Sequence, residues 1–253
     1  MNLDHLQRTA ETIAREAGRK LAERAPGLRE IEFLSRSDVK LQADRESEEL
    51  IRARLAEETD YPVYGEELGG DAGLTGRYEP YWVVDPLDGT YNYLRGNPAC
   101  AVSIGLMRGE TPVLGVIHDF TAHQCYTAIV AGSLHCNGEP VQPDWAETKD
   151  QAVLATGFPA GMDTSPERME AFIARVAPYK KIRMTGSAAL AMAYVAAGIF
   201  DVYFEESIRL WDVAAGLALV QAAGGSVRMQ PCRSGKPLAY DVWAGKGSFL
   251  GDE

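Results

Sequence analysis

The chain has 253 residues, 46% hydrophobic and 24% charged, an ordinary globular composition that excludes a disordered or fibrous protein and allows one large or two intimate domains. Its 36 acidic against 25 basic residues give a formal net charge of -11, the wrong sign for neutralising nucleic-acid phosphates, so nucleic acid is excluded as the main partner. The same charge repels phosphorylated small molecules unless part of it is gathered into carboxylates that recruit divalent cations, which invert the local field.

Leu3, Leu6, Ala10, Ile13, Ala14, Ala17 and Leu21 recur at helical spacing with charges between them, which predicts an amphipathic helix over 3–24, ended by Pro26-Gly27. Those charges break any apolar stretch a signal peptide would need, and no later run reaches membrane-spanning length. The four cysteines, Cys100, Cys125, Cys136 and Cys232, form no CxxC pair, so neither a zinc ribbon nor a redox dithiol is readable. Buried free thiols and a cytoplasmic, reducing location are expected. A second helix is expected to start at Asp44 as N-cap, with Glu46, Glu48 and Glu49 early, Arg52 and Arg54 later, and Leu50, Ile51 and Leu55 inward.

Tyr81 to Val84 reads as a short apolar strand, and Ala101 to Met107, Arg108-Gly109-Glu110 and Val113 to Ile117 as a hairpin of half-buried strands. The first part of the chain is therefore α+β with an antiparallel sheet. After about Pro140 the pattern becomes a strand (Val153 to Thr156), a helix (Pro166 to Ala177), a small-residue helix (Ser187 to Ala197), a strand (Asp201 to Phe204) and a helix (Asp212 to Ala223) closed by Gly224-Gly225. This change divides the chain into an α+β domain over 1–140 and an α/β domain over 141–253. There is no internal repeat, and residues 157–166 read as a loop.

Chemistry concentrates where the Tyr81 to Val84 strand ends. Asp85 and Asp88 flank Pro86 and Leu87, and Gly89-Thr90 follow; proline stiffens the turn and glycine lets backbone approach a ligand. Hard cations such as Mg²⁺ take carboxylate and carbonyl oxygens, which Asp85, Asp88 and the Leu87 carbonyl could supply. The same segment is equally readable as a surface turn, since Asp, Pro and Gly are the usual turn formers. Glu66 and Glu67, after Gly65, read as acids on a solvated loop, and Asp212 as the N-cap of an apolar helix.

Together, Gly65-Glu66-Glu67, the run from Trp82 to Leu106, the run from Arg183 to Ala189 and the run from Trp211 to Gly216 resemble the inositol monophosphatase family, in order and separation, over about residues 3 to 245. The resemblance implies a layered αβαβα sandwich of the sugar-phosphatase type, with an antiparallel N-terminal sheet and a smaller α/β C-terminal half. It implies that Glu66, Asp85, the Leu87 carbonyl, Asp88 and Asp212 hold two or three Mg²⁺ ions. It further implies that Asp44 and Thr90, with Glu66, orient and activate the attacking water, and that the phosphate lies against Gly89 and Thr90. Asp88, Gly186, Ser187, Ala188, Glu205 and Asp212 would meet the substrate's hydroxyls. A homodimer is implied as well.

The chain departs from the family pattern at Leu41, where a threonine is usual, and in the preceding loop, where Arg36 and Lys40 are the nearest cations in place of a lysine. Tyr91 replaces a commonly small residue, which narrows the pocket entrance. His5, His118, His123 and His135 show no metal-ligand spacing, and Ser103 and Ser187 lack a nucleophile-elbow context. No glycine loop for nucleotide phosphates is present. The expected activity is Mg²⁺-dependent hydrolysis of a small phosphate monoester of a polyol or sugar, inositol 1-phosphate first. Fructose-1,6-bisphosphatase, histidinol-phosphatase and 3'(2'),5'-bisphosphate nucleotidase activities, or a non-catalytic regulatory role, are the alternatives.

Overall fold

The computed structural model describes residues 1–24, 31–34, 39–158, 163–232 and 235–249, so Pro26-Gly27, Arg36 and the centre of the 157–166 loop lie outside the described residues. The first half runs α1 (Leu3–Arg24), β1 (Ile31–Leu34), β2 (Val39–Leu41), α2 (Gln42–Glu58), β3 (Val63–Gly65), β4 (Pro80–Asp88), α3 (Thr90–Arg95), β5 (Ala101–Arg108), β6 (Thr111–Asp119), β7 (Gln124–Ile129), β8 (His135–Cys136) and β9 (Glu139–Pro140). The second half runs β10 (Val153–Thr156), α4 (Pro166–Val176), β11 (Lys181–Arg183), α5 (Ala188–Ala196), β12 (Val202–Arg209), α6 (Leu210–Ala222), β13 (Ser226–Pro231) and β14 (Ala239–Gly245).

A seven-stranded sheet follows the order β3-β4-β5-β6-β7-β8-β9, and a five-stranded sheet the order β11-β10-β12-β14-β13. Strand alternation gives the first sheet two buried faces. On one, Trp82, Val84, Ile104 and Leu114 meet Leu6, Ile13 and Leu21 of α1 and Ile51 and Leu55 of α2. On the other, Tyr81, Val83 and Ile117 meet α5 and α6, whose far sides pack on Tyr203 and Val242 of the second sheet. Because α5 and α6 are covered on both sides, they are apolar all round instead of striped. The outer face of the second sheet, with Leu154, Val202 and Phe204, is covered by Val176 and Phe172 of α4. The layers are thus αβαβα, as the resemblance implied.

Contact between α6 and the first sheet is close enough to need glycine beneath it. A Cβ on Gly115 would lie 2.2 Å from the Ala215 carbonyl oxygen, and one on Gly105 2.9 Å from the Ala215 nitrogen. The helix backbone therefore rests directly on β5 and β6.

Three details differ from the sequence reading. The first sheet is not wholly antiparallel, since β3 runs parallel to β4; residues 66–79, with a 3-10 turn over Ala72–Gly76, carry the chain back from the end of one to the start of the other in place of a tight turn. Asp44 is not the N-cap of α2, which begins at Gln42; it is the third helical residue and its Oδ2 accepts from the Leu41 N–H at 2.7 Å. Asp212 likewise sits third in α6 and accepts from the Arg209 N–H at 3.1 Å. Both aspartates cap backwards, which leaves the second carboxylate oxygen of each for other partners. Among the described residues no helix is long and apolar enough to cross a membrane.

Candidate metal centre

The strand β4 continues through the Asp-Pro-Leu-Asp segment and acquires one extra residue there: Asp85 pairs with Ser103 and Asp88 with Ala101, three steps on β4 against two on β5. In a regular strand residues three apart face opposite sides, so the bulge is what brings both aspartates to the side covered by α5 and α6. The Leu87 N–H donates to Asp85 Oδ1 at 3.0 Å, which fixes that carboxylate from within the turn. Gly89 follows in the left-handed region at φ 90°, where a Cβ would lie 2.7 Å from the Ala99 carbonyl oxygen. That turn aims Thr90, the first residue of α3, back at α2: its Oγ1 lies 2.9 Å from Asp44 Oδ1 and 3.1 Å from the Leu87 carbonyl oxygen. The Ser47 hydroxyl of α2 donates to the Pro86 carbonyl at 3.1 Å, pinning the same turn from the other side.

Asp212 arrives from the second half of the chain, and one carboxylate oxygen each of Asp85, Asp88 and Asp212 lie within 4.8 Å of one another. Glu66 stands just beyond β3, its N–H donating to the Val84 carbonyl at 3.2 Å. Tyr64 stacks on Trp211 with ring centroids 6.0 Å apart, so the strand leading to Glu66 and the helix start carrying Asp212 are braced against each other. Asp88 Oδ2 accepts from the Ser187 hydroxyl and, at 2.8 Å, from the Ala189 N–H. The aspartate is thereby tied to the N-terminus of α5, whose dipole favours its charge.

Burial dominates the electrostatics. It pushes the Asp44 carboxyl up to about 7, against the bonds from Leu41 and Thr90. Burial also lifts Asp88 to about 6, although the Ser187 hydroxyl and the α5 amides draw it back down. Glu66, Asp85 and Asp212 are held well above the usual carboxylate range by burial first and by a neighbouring carboxylate second, Asp212 acting on Glu66, Glu66 on Asp85, and Asp88 with Glu205 on Asp212. Lys40, which lies 2.8 Å from Glu67, offsets this at Glu66 only in part. Such a set of oxygens penalises its own ionisation until a cation joins it, and carboxylate and carbonyl donors without sulfur or imidazole suit a hard divalent ion. The residues present therefore fit a metal of the Mg²⁺ class.

Beside the aspartates lies a cleft of 210 Å³ whose lining includes Asp88, Asp212, Gly186, Ser187, Ala188 and Glu205. The cleft brings together six residues expected to meet substrate, whereas Gly89 and Thr90 belong to the adjoining turn and not to its lining. Burial raises Glu205 to about 7, and its Oε2 accepts from the Tyr203 hydroxyl at 2.9 Å. Ser187 also serves as N-cap of α5, its Oγ accepting from the Leu190 N–H at 3.2 Å. Tyr91, expected at the entrance, is 60% exposed and not among the lining residues. Leu41 is buried and contributes only its backbone N–H, to Asp44.

Sequence reasoning overlooked several contributors. Phe158, Tyr203 and Ile208 line the cleft. Asn92 donates to the carbonyls of Ala99 at 2.7 Å and Thr185 at 2.9 Å, joining the turn after Thr90 to the segment before α5. Only the asparagine's place immediately after Thr90-Tyr91 could have drawn attention to it, since its partner at Thr185 is distant in sequence.

The profile of the inositol monophosphatase family matches residues 2–248. A protein of Xylella fastidiosa named Nus factor SuhB is 38% identical over 217 residues, covering 85% of this chain and 78% of that protein. Inositol-1-monophosphatase SuhB of Mycobacterium tuberculosis is 36% identical over 200 residues, 76% of this chain and 69% of its own. The crystal structure of extragenic suppressor protein suhB from Bartonella henselae superposes with a TM-score of 0.81 at 30% identity, over 96% of this chain and 94% of that one.

Proposed function

Since the chain belongs to the inositol monophosphatase family, and is thereby a metal-dependent phosphoric monoester hydrolase, we propose that it removes phosphate from a small polyol monoester using Mg²⁺, with inositol 1-phosphate as first substrate. The observation that carries this reading is the sharing of Asp88 and Asp212 between the acidic cluster and the cleft, which puts an ester held in the cleft beside the cation ligands.

Glu66, Asp85, the Leu87 carbonyl, Asp88 and Asp212 would hold two or three ions. Bound there, Mg²⁺ supplies Lewis-acid charge that acidifies water and offsets the charge developing on the ester oxygens. The chain's own part is to place and deprotonate that water. Thr90 gives its hydroxyl hydrogen to Asp44, which frees its oxygen lone pairs to accept from the water. Asp44, bonded to Thr90, and Glu66, close enough for the two charges to act on each other, are the carboxylates placed to take the water's proton. The water oxygen forms a bond to phosphorus as the ester P–O bond breaks, and the departing alkoxide takes up a proton. The left-handed turn at Gly89 and the Thr90 amide face the phosphate in this reading, and Glu205, Gly186, Ser187 and Ala188 meet the polyol hydroxyls.

Phosphate release from inositol 1-phosphate, fructose 1,6-bisphosphate, histidinol phosphate and a 3'-phosphoadenosine nucleotide, with MgCl₂ and with EDTA, tests the proposal. Inositol 1-phosphate should be the fastest and EDTA should abolish release; no release from any ester overturns it. A cytoplasmic homodimer is part of the same reading. The wholly exposed edge strand β11, with Ile182 38% and Met184 just beyond it 50% exposed, supports self-association, which sedimentation would measure. The relative named Nus factor SuhB favours a second role in regulation, in which the partner would be protein, since a net charge of -11 opposes nucleic acid.

A further inference from the structure

We propose that Glu48 is a positioning residue for the cation site, holding Glu66 in place by gripping the backbone that follows it; this rests on the reading of Glu66 as a ligand. Glu48 lies one turn beyond Asp44 on α2, and its side chain is fully buried. Its Oε2 accepts from the Glu67 N–H at 2.7 Å and its Oε1 from the Leu68 N–H at 3.2 Å, the two amides after Glu66. Oε1 also accepts from Arg52 Nε at 2.7 Å, one turn further along the helix. Arg52 in turn donates to the carbonyls of Val63 at 3.2 Å and of Gly69, on either side of the same loop. The buried charge is thus compensated by one guanidinium and two amides, and every bond except the ion pair itself ends on residues 63–69.

Gly65 shows how closely the loop is seated. A Cβ there would stand 2.1 Å from Glu48 Oε1 and 2.7 Å from Oε2, so the carboxylate occupies the space a side chain would take. Asp44 and Ser47, from the same two turns of α2, hold Thr90 and the Pro86 carbonyl. One helix face therefore sets the spacing between the segment carrying Glu66 and the turn carrying Asp85 and Asp88.

Calorimetric titration of the full chain with MgCl₂, well below its melting temperature, decides the matter. Glu48→Gln keeps the shape but offers one acceptor oxygen where three donors converge, and the dissociation constant should rise about ten-fold, as for other groups that orient ligands. Leu55→Ala, a buried change on the same helix away from these contacts, should lower the melting temperature without moving Mg²⁺ affinity. Gly65→Ala should reproduce the loss, and the double variant should bind no worse than either single one, because both changes release the same loop. Glu48→Gln binding Mg²⁺ as tightly as Leu55→Ala would overturn the role of Glu48. Wild-type protein that takes up no Mg²⁺ would instead overturn the ligand assignment of Glu66, and the inference with it.

Discussion

A carboxyl forced to keep its proton is a carboxyl that waits for a cation. Without one, Asp44, Asp88 and Glu205 titrate at about 7, about 6 and about 7, each lifted chiefly by burial. Unfolded carboxylates release their protons near pH 4, so between there and about pH 7 the folded chain binds more protons than the unfolded one. Stability then falls as pH rises through that window. In EDTA the melting temperature should be higher at about pH 5 than at about pH 8, and MgCl₂ at the higher pH should close much of the gap, since a bound cation favours the ionised forms. Asp85→Asn should remove turnover while leaving the fold intact and flattening this pH slope. A variant that keeps appreciable phosphate release would contradict the assignment of Asp85. At this scale the sequence was informative in an uneven way. Asp85, Asp88 and Thr90 stand together in a segment that announces itself, but Glu48 and Tyr203 act through partners that only the fold brings near. No local pattern distinguishes Glu48 from the other acids of α2.

The elements turn those residues into a site, and the bulge in β4 is the step that spacing alone could not supply. Two aspartates three apart on a strand point away from each other, and it is the unpaired residue between Ser103 and Ala101's partners that reverses one of them. The amphipathic stripe of α1 was legible because the helix has one wet side, and the run of small apolar residues marked α6 because it has none. The strands β13 and β14 escaped notice: β13 carries Arg228 and Gln230, and β14 interrupts its apolar run with Asp241, so neither reads as a core strand. The seating of α6 yields a prediction of its own. Gly115→Ala would press a methyl group against the Ala215 backbone, with no flexible side chain to yield. Denaturant unfolding should show a loss of about 1–3 kcal/mol, the ordinary cost of overpacking, or more because the obstacle is main chain. An unchanged midpoint would mean that α6 does not lie as close to β6 as this.

Across the whole molecule, the division at residue 140 is our proposal for how the chain is organised, yet the largest buried cluster takes residues from both sides of it. Val83 and Ile117 before that point pack in one core with Leu217 and Val242 after it. The acidic set is divided in the same way, with Glu66, Asp85 and Asp88 on one side and Asp212 on the other, as the order of the sequence already indicated. The layering that makes this division workable was not legible in composition or periodicity, because neither tells which sheet a doubly buried helix such as α6 separates; only the resemblance carried it. A chain cut at residue 140 should therefore lose both core and site. Expressed alone, residues 1–140 would present Tyr81, Val83 and Ile117 to water on the face that α5 and α6 now cover, and should bind a hydrophobic dye that the whole chain does not. Neither piece should give the calorimetric Mg²⁺ response of the intact protein, because four of the proposed ligands, Glu66, Asp85, the Leu87 carbonyl and Asp88, remain in one and Asp212 leaves with the other. If residues 1–140 alone bound Mg²⁺ with the intact chain's affinity, the cation would be held without Asp212, and the sharing of that aspartate between cluster and cleft would no longer explain how ester and metal are brought together.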